Sequence, residues 1–476
     1  MGGISRFVGL LLLPLFTRVF SVDDYGIIDI YSVFTNLIIV TATLRLSTSI
    51  SRYFSETDRG FSRKELCSTL LFFNICVNII IFSFLFLLSE NISYLITGRT
   101  NAADFVVLSA LSASFQSISK IPMMVLRRQR RIITFSSLQI FASVLYASMS
   151  LLFILIFDLG LKGIFSAMVI SNGVILVGSL FSIRKLLIPR ISKNAMITSL
   201  RYSLPLMPGK YFMWFNAQLN RIMLLYMIGL SGVGLFAIGS RIASILQLFL
   251  TVFQRAWNPF SVEIINAKGS NFIYKKTLTY YLGITSIAGI ILSLLTPLLL
   301  MILTSEEFYT GQTVVPWLIG AFIISGSSRI LNIGTVIKEE MAYNSKAEII
   351  TFSANLIISY LLISTIGFKG AAIGMFFSQL LSKSYIWYIT QKISDILFEN
   401  NKVFYILSIY LFCSLVISIQ PLLSTGNIFI DKIPLLFCIM GIISIYKISI
   451  DTLLKEGLGR LYVESKKELK NKLFRS

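Results

Sequence analysis

The chain has 476 residues, 55% of them hydrophobic and 13% charged, with a mean hydropathy of +0.80 and a formal net charge of +20. Apolar runs of about 20 residues recur from one end to the other, which excludes a soluble domain and predicts a polytopic membrane protein. Histidine is absent, which excludes histidine acid–base catalysis and histidine metal ligation, and the basic residues are scattered between apolar runs, which argues against a nucleic-acid partner.

The runs are continuous rather than alternating, so the expected fold is all-α and not a β-barrel. Fourteen segments are expected to span the membrane: 3–20, 26–49, 67–89, 104–125, 133–157, 163–183, 202–228, 233–254, 277–302, 313–335, 349–366, 371–391, 403–421 and 433–452. The first carries Arg6, leads straight into the second and has no cleavable signal pattern, so it reads as a retained helix. The cysteines Cys67, Cys76, Cys413 and Cys438 lie in or beside apolar segments without a CxxC pair, so neither a metal site nor a disulfide framework is expected.

The connections alternate in charge. The set comprising 51–66, 127–131, 184–201, 255–276, 336–348, 392–402 and the tail 453–476 holds 28 basic residues, and the other set holds 4, namely Arg99, Lys162, Lys369 and Lys432. That asymmetry predicts both termini on the cytoplasmic side. The longest outer connection, 90–103, is too short for an external catalytic domain, and no catalytic residue is assigned.

Two sequence matches at nearly one offset predict an internal repeat. Tyr25-Gly26 followed by IIDIYS corresponds to Val233-Gly234 followed by LFAIGS, an offset of 208; Leu159 to Gly163 corresponds to Ile366 to Gly370 at 207. Six spans per copy make the copies parallel, as in transporters built from repeats. The expected domains are an N-lobe at 1–200, a C-lobe at 201–395, two added spans at 396–455 and a basic cytoplasmic tail at 456–476.

Charges inside the spans are the candidate functional residues. Arg45, Lys120, Arg221, Arg241, Arg329 and Lys383 all fall within apolar segments, whereas Asp29 is the one embedded carboxylate. A charge near the bilayer centre costs about 3 kcal/mol on insertion scales and is tolerated where it faces protein or water. Two explanations stand side by side: a cationic cavity that binds an anion, or side chains that snorkel to the interface or pair with carbonyls. Polar stripes run beside three of the cations: Ser109, Ser112, Gln116 and Ser119 next to Lys120; Ser240, Ser244, Gln247, Thr251 and Gln254 next to Arg241; Ser325, Ser328 and Asn332 next to Arg329. Close helix packing would use the same residues. Asp29 is the candidate for coupling to an ion gradient, the ion itself being unspecified, and no metal or cofactor is called for.

FVGLLLLPLFTRVFSVDDYGIIDIY at the N-terminus, SLPLMPG at 203–209, and the paired GLKGIFSAMVIS and GFKGAAIGMFFS together resemble the polysaccharide-biosynthesis flippases, the Wzx-type O-antigen and oligosaccharide flippases of the MOP (MATE-like) superfamily. The resemblance implies two pseudo-symmetric six-helix lobes plus two extra helices. It implies a bacterial inner membrane location and a substrate of undecaprenyl pyrophosphate carrying an oligosaccharide, flipped from the cytoplasmic to the periplasmic leaflet by alternating access. Membrane lipids and other polysaccharide-assembly membrane proteins are the partners it suggests. Asn220 stands where the family often has aspartate, which leaves Arg221 without an acid partner on its own helix. A lipid II flippase and a MATE-type multidrug exporter share the architecture; a membrane-embedded polymerase or ligase would need a large outer loop.

Overall fold

A computed structural model describes residues 12–55, 60–98, 102–267, 269–394, 396–423 and 428–456, and in it these residues are helical apart from short connections. Half of the expected first span, including Arg6, and nearly all of the tail, residues 457–476, lie outside the described residues. Nine helices among the described residues are long and apolar enough to cross a bilayer. The chain divides into two compact units, one of residues 1–225 with 229–234, the other of 226–228 with 235–476.

The first unit holds α1 (Leu13–Val19), α2 (Val22–Ala42), α3 (Leu46–Tyr53), α4 (Arg63–Leu87), α5 (Ser89–Thr97), α6 (Ala103–Arg128), α7 (Ile132–Leu155), α8 (Gly160–Ile183), α9 (Lys193–Ser203) and most of α10 (Met207–Met227). Local chemistry sets its boundaries. Ser21 and Asp24 form a reciprocal capping box that starts α2, and Ser62 with Glu65 does the same for α4. Central in this unit is α6, packed against α2, α4 and α8.

The second unit holds the rest of α11 (Leu230–Glu263), then α12 (Ser270–Leu303), a 3₁₀ stretch at Glu306–Val314, α13 (Val315–Leu331), α14 (Ile333–Ile337), α15 (Ala342–Ile366), α16 (Phe368–Ile393), α17 (Asn400–Leu423) and α18 (Ile428–Glu456). Its pairings repeat those of the first unit. Helix α13 packs on α16 as α6 packs on α8, α12 on α13 as α4 on α6, and α15 on α16 as α7 on α8. The added helices α17 and α18 lie against α12 and against each other.

The glycines of the sequence repeat explain the matches. Gly160 and Gly367, 207 positions apart, both take positive φ, 53° and 68°, where the α7–α8 and α15–α16 hairpins turn. At the other match, the first turn of α11 belongs to the first unit and crosses the start of α2. A Cβ on Gly26 would collide with the carbonyl oxygen of Leu230, and one on Gly234 with the carbonyl oxygen of Val22. Since 230 is 22 shifted by 208, the crossing is reciprocal.

Several expectations change. The second span is not one helix: Leu44 and Arg45 both sit at left-handed φ, 42° and 52°, and divide it into α2 and α3. Part of the expected outer connection 90–103 is helix α5. The expected basic loop 255–276 is nearly absent, because α11 and α12 each run 34 residues. At 1.5 Å per residue each is about 51 Å long, well beyond a hydrocarbon layer of about 30 Å. Arg255, Lys275 and Lys276 therefore lie on helix rather than in a loop.

Candidate functional site: charged side chains within the spans

In the first unit the embedded charges gather along α2, α3 and α10. Arg221 on α10 reaches Asp29 on α2, Nε to Oδ2 at 2.6 Å, with side-chain exposures of 23% and 12%. The acid partner that Arg221 lacks on its own helix thus comes from a helix 192 residues away. Two turns into α2, Asp29 is fixed as the counter-charge of an arginine, which desolvates both groups together rather than leaving either charge alone in a low-dielectric setting.

Arg45 stands at the break between α2 and α3, half-buried, and its Nη1 donates to the carbonyl oxygen of Leu206 at 3.1 Å. Leu206 belongs to the 3₁₀ turn Leu204–Leu206 that leads into α10. Pro205 supplies the turn's fixed φ, and the Leu206 carbonyl at the turn's end accepts the guanidinium. Lys120 on α6 is exposed, and Lys210 on α10 is close enough to act on its charge. Lys210 is half-buried. The first unit therefore brings Arg45, Lys120, Lys210 and Arg221 onto three neighbouring elements, with Asp29 as their one embedded acid among the described residues.

The serine stripe on α6 largely serves packing. Ser112 accepts a hydrogen bond from Asn172 on α8 at 2.9 Å, and Ser119 donates to the Gln116 carbonyl on its own helix. Ser109 is buried, and its hydroxyl has no partner.

In the second unit Arg241 on α11 is half-buried and accompanied by Ser244, whose hydroxyl donates to the Arg241 carbonyl at 2.6 Å. Gln254 further along α11 donates to the Gly326 carbonyl of α13 at 3.3 Å. Arg329 near the end of α13 is exposed. Lys383 on α16 is buried, and its ammonium lies 3.5 Å from Glu348 on α15, a carboxylate that is 56% exposed. The α15–α16 hairpin brings the two together across 35 residues.

A second charged cluster stands at the junction of α12 and α17. Glu399 accepts hydrogen bonds from Thr279 at 2.8 Å and from Lys276, with Lys276 Nζ at 3.2 Å and Lys402 Nζ at 3.4 Å. Burial pushes the Glu399 carboxyl up, but the Thr279 and Lys276 hydrogen bonds and the charges of Lys276 and Lys402 outweigh it and hold the group below its ordinary 4.5. Sequence reading missed Glu348, Glu399 and Lys276, because each falls in a stretch expected to be a solvated connection. Their signal was indirect: an acid within about one turn before the start of an expected span, at 349 and at 403. Among the described residues no cluster of cysteine and carboxylate side chains comes together to hold a metal ion.

The chain is similar to the Lsg locus putative protein 1 of Haemophilus influenzae, 24% identical over 271 residues, which are 56% of this chain and 64% of that protein. The chain thus spans under two thirds of that relative's length. Among solved structures it resembles the lipid II flippase MurJ in its inward closed conformation, with a TM-score of 0.69 at 16% identity, covering 94% of this chain and 98% of that one. It also resembles an inward-facing multidrug resistance MATE family transporter of the MOP superfamily, with a TM-score of 0.68 at 13% identity, covering 82% of this chain and 95% of that one. These likenesses establish the fold as that of MurJ and the MATE transporters. Residues 1–265, more than half of the chain, match the polysaccharide biosynthesis protein family, and the protein belongs to that family.

Proposed function

We propose that the protein is a flippase that moves an oligosaccharide linked to undecaprenyl pyrophosphate, an O-antigen or other polysaccharide repeat unit, from the cytoplasmic to the periplasmic leaflet of the bacterial inner membrane. The observation that carries this reading is the sign of the embedded charge. Arg45, Lys120, Lys210 and Arg221 sit on neighbouring elements of the first unit with Asp29 alone against them, and Arg241, Arg329 and Lys383 add to the cations of the second unit. A sugar–pyrophosphate head cannot enter hydrocarbon without hydrogen-bonding groups to replace its water. Guanidinium groups hold phosphate oxygens in pairs, and hydroxyls and amides suit the sugars. The polyprenyl tail stays in lipid while the head crosses by alternating access of two lobes. Both termini face the cytoplasm in this reading, and coupling to an ion gradient runs through Asp29. No covalent step is involved.

The same charge pattern disfavours an exporter of organic cations, which needs an acidic cavity. A lipid II flippase shares the pyrophosphate and the tail and differs only in the sugar and peptide. The likeness to MurJ takes in 94% of this chain against 82% for the MATE transporter, which favours the lipid-linked class over the drug class.

The experiment is removal of the protein followed by identification of the lipid-linked sugar that builds up on the cytoplasmic side, with purified protein in vesicles returning it to the other leaflet. Arg241→Ala should abolish surface glycan with the protein still folded in the membrane, and Arg241→Lys should restore part of it. Accumulation of lipid II would select the second reading, and no accumulation of any polyprenyl-linked sugar would overturn both.

A further inference from the structure

Four contacts tie α2 and α3 to α9 and α10, all within the first unit. Asp29 pairs with Arg221 at 2.6 Å; Tyr211 Oη donates to Thr41 Oγ1 at 3.0 Å; Arg45 donates to the Leu206 carbonyl at 3.1 Å; Ser49 Oγ donates to the Ser199 carbonyl at 3.0 Å. The two residue numbers in each contact add to between 248 and 252, so the segments run antiparallel in one continuous register. Polar contacts recur along the whole seam, with apolar side chains of α2 and α10 packed between them. Among helices in a membrane such hydrogen bonds are each worth only about 0.6 kcal/mol, since polar groups find other partners when they separate. The ion pair is the exception, because opening it strands two half-buried charges. Two turns along α10 from Arg221, Trp214 is buried in the apolar cluster that also takes in Ile27, Ile30, Tyr31, Val33 and Val40 of α2, with its indole N–H unpaired.

We propose that the Asp29–Arg221 pair is an anion-displaceable lock on this seam: the pyrophosphate of the substrate takes Arg221 from Asp29, and α10 is thereby released from α2 and α3. The inference rests on the pyrophosphate reading above and deepens it by assigning Asp29 a role in selectivity. A carboxylate accepts a guanidinium through two oxygens, as a phosphate does, so Asp29 occupies the place of the ligand until one with denser charge arrives. Neutral and zwitterionic lipids cannot displace it, whereas a pyrophosphate carries more charge and more acceptors than the carboxylate it replaces. A ligand shifts such an equilibrium only by its difference in affinity for the two states, and Asp29 sets that difference. The weak polar contacts that follow, Thr41–Tyr211, Arg45–Leu206 and Ser49–Ser199, then open in series.

Trp214 reports the seam. In full-length protein with Trp257, Trp317 and Trp387 replaced by phenylalanine, inorganic pyrophosphate should shift Trp214 emission to the red and raise its quenching by acrylamide, with saturation. Asp29→Asn should bind pyrophosphate about tenfold more tightly, since the competitor has lost its charge. Arg221→Gln should not respond. Arg221→Gln also leaves Asp29 without its partner, so Arg221→Lys is measured beside it: it keeps the charge, should fold, and should respond with affinity reduced about tenfold. Equal pyrophosphate affinity in the wild type and Asp29→Asn, or an undiminished response in Arg221→Lys, would overturn the lock. The two proposals fail separately. A Trp214 response without transport of any lipid-linked sugar counts against the flippase reading alone, and transport without the response counts against the lock alone.

Discussion

Replacing Glu399 by glutamine tests how the added helices are held. The carboxylate is 12% exposed and lies between Lys276, 7% exposed, and Lys402, 32% exposed. Glutamine keeps an oxygen for the Thr279 hydroxyl but presents no charge. Lys276 is then left buried beside a second ammonium, and removing one partner of a buried pair costs about 3 to 5 kcal/mol. Lys402 is partly solvated and adds little, so the lower end, about 3 kcal/mol, is expected. The damage is local, since the cluster links the start of α12 to the start of α17. Hydrogen exchange followed by mass spectrometry reads it directly: amides from Val403 onward should exchange about 100-fold faster, at 1.4 kcal/mol per tenfold. Replacing Lys276 and Glu399 together by methionine should return protection to near the wild-type level, because an apolar pair of similar volume removes the charges and their desolvation together. The sign of the pH effect follows. The folded carboxyl is held below its unfolded value, so the clamp's contribution is complete above about pH 4.5 and is lost as pH falls through the folded value. Unchanged exchange in Glu399→Gln, or a double variant as loose as the single one, would refute the reasoning.

Three further outcomes are expected. Gly26→Ala and Gly234→Ala should each cost about 1 to 3 kcal/mol in denaturant unfolding, since a Cβ meets a backbone carbonyl at both places; Gly209→Ala in α10, with nothing within 4 Å, should stabilise by about 0.5 kcal/mol. Glu348→Gln should lower thermal stability more than Lys383→Met, because the first strands a buried ammonium and the second leaves a carboxylate that water already reaches. Reporter fusions at Arg128 and Gly232 should come out on opposite sides of the membrane, and agreement between them would undo the assigned topology.

Much of the architecture was legible because hydropathy and loop charge act over whole segments. The repeat was legible for a sharper reason: Gly26, Gly160, Gly163 and their partners stand where backbone approaches backbone or φ is positive, so those positions resist drift while the apolar residues around them do not. The break in the second span was not legible. Leu44 and Arg45 carry no glycine or proline signal, and the bond from Arg45 to Leu206 that accompanies their left-handed backbone joins residues 161 apart. Arg221 was recognisable as an embedded charge from its place in an apolar run, but its partner was not, since an ion pair across 192 residues leaves no trace in local spacing. Glu399 and Lys276 were hidden for another reason: α12 begins before its apolar run, so a stretch that hydropathy assigns to a loop is helix, and it buries Lys276 against the connection that carries Glu399.

A contact in which position 22 of one copy meets position 26 of the other, both ways round, is the contact that a two-fold homodimer makes with itself. In a dimer of half-length chains a single codon would set both glycines, and any substitution there would strike the crossing twice. In the joined chain two codons share the task, so each side can be altered alone and its effect weighed against an intact counterpart. The copies have already diverged along the same pair of spans, for α11 runs unbroken through the stretch that corresponds to the break at Arg45. The two copies thus still match where main chain touches main chain, and they differ where one span bends and the other does not.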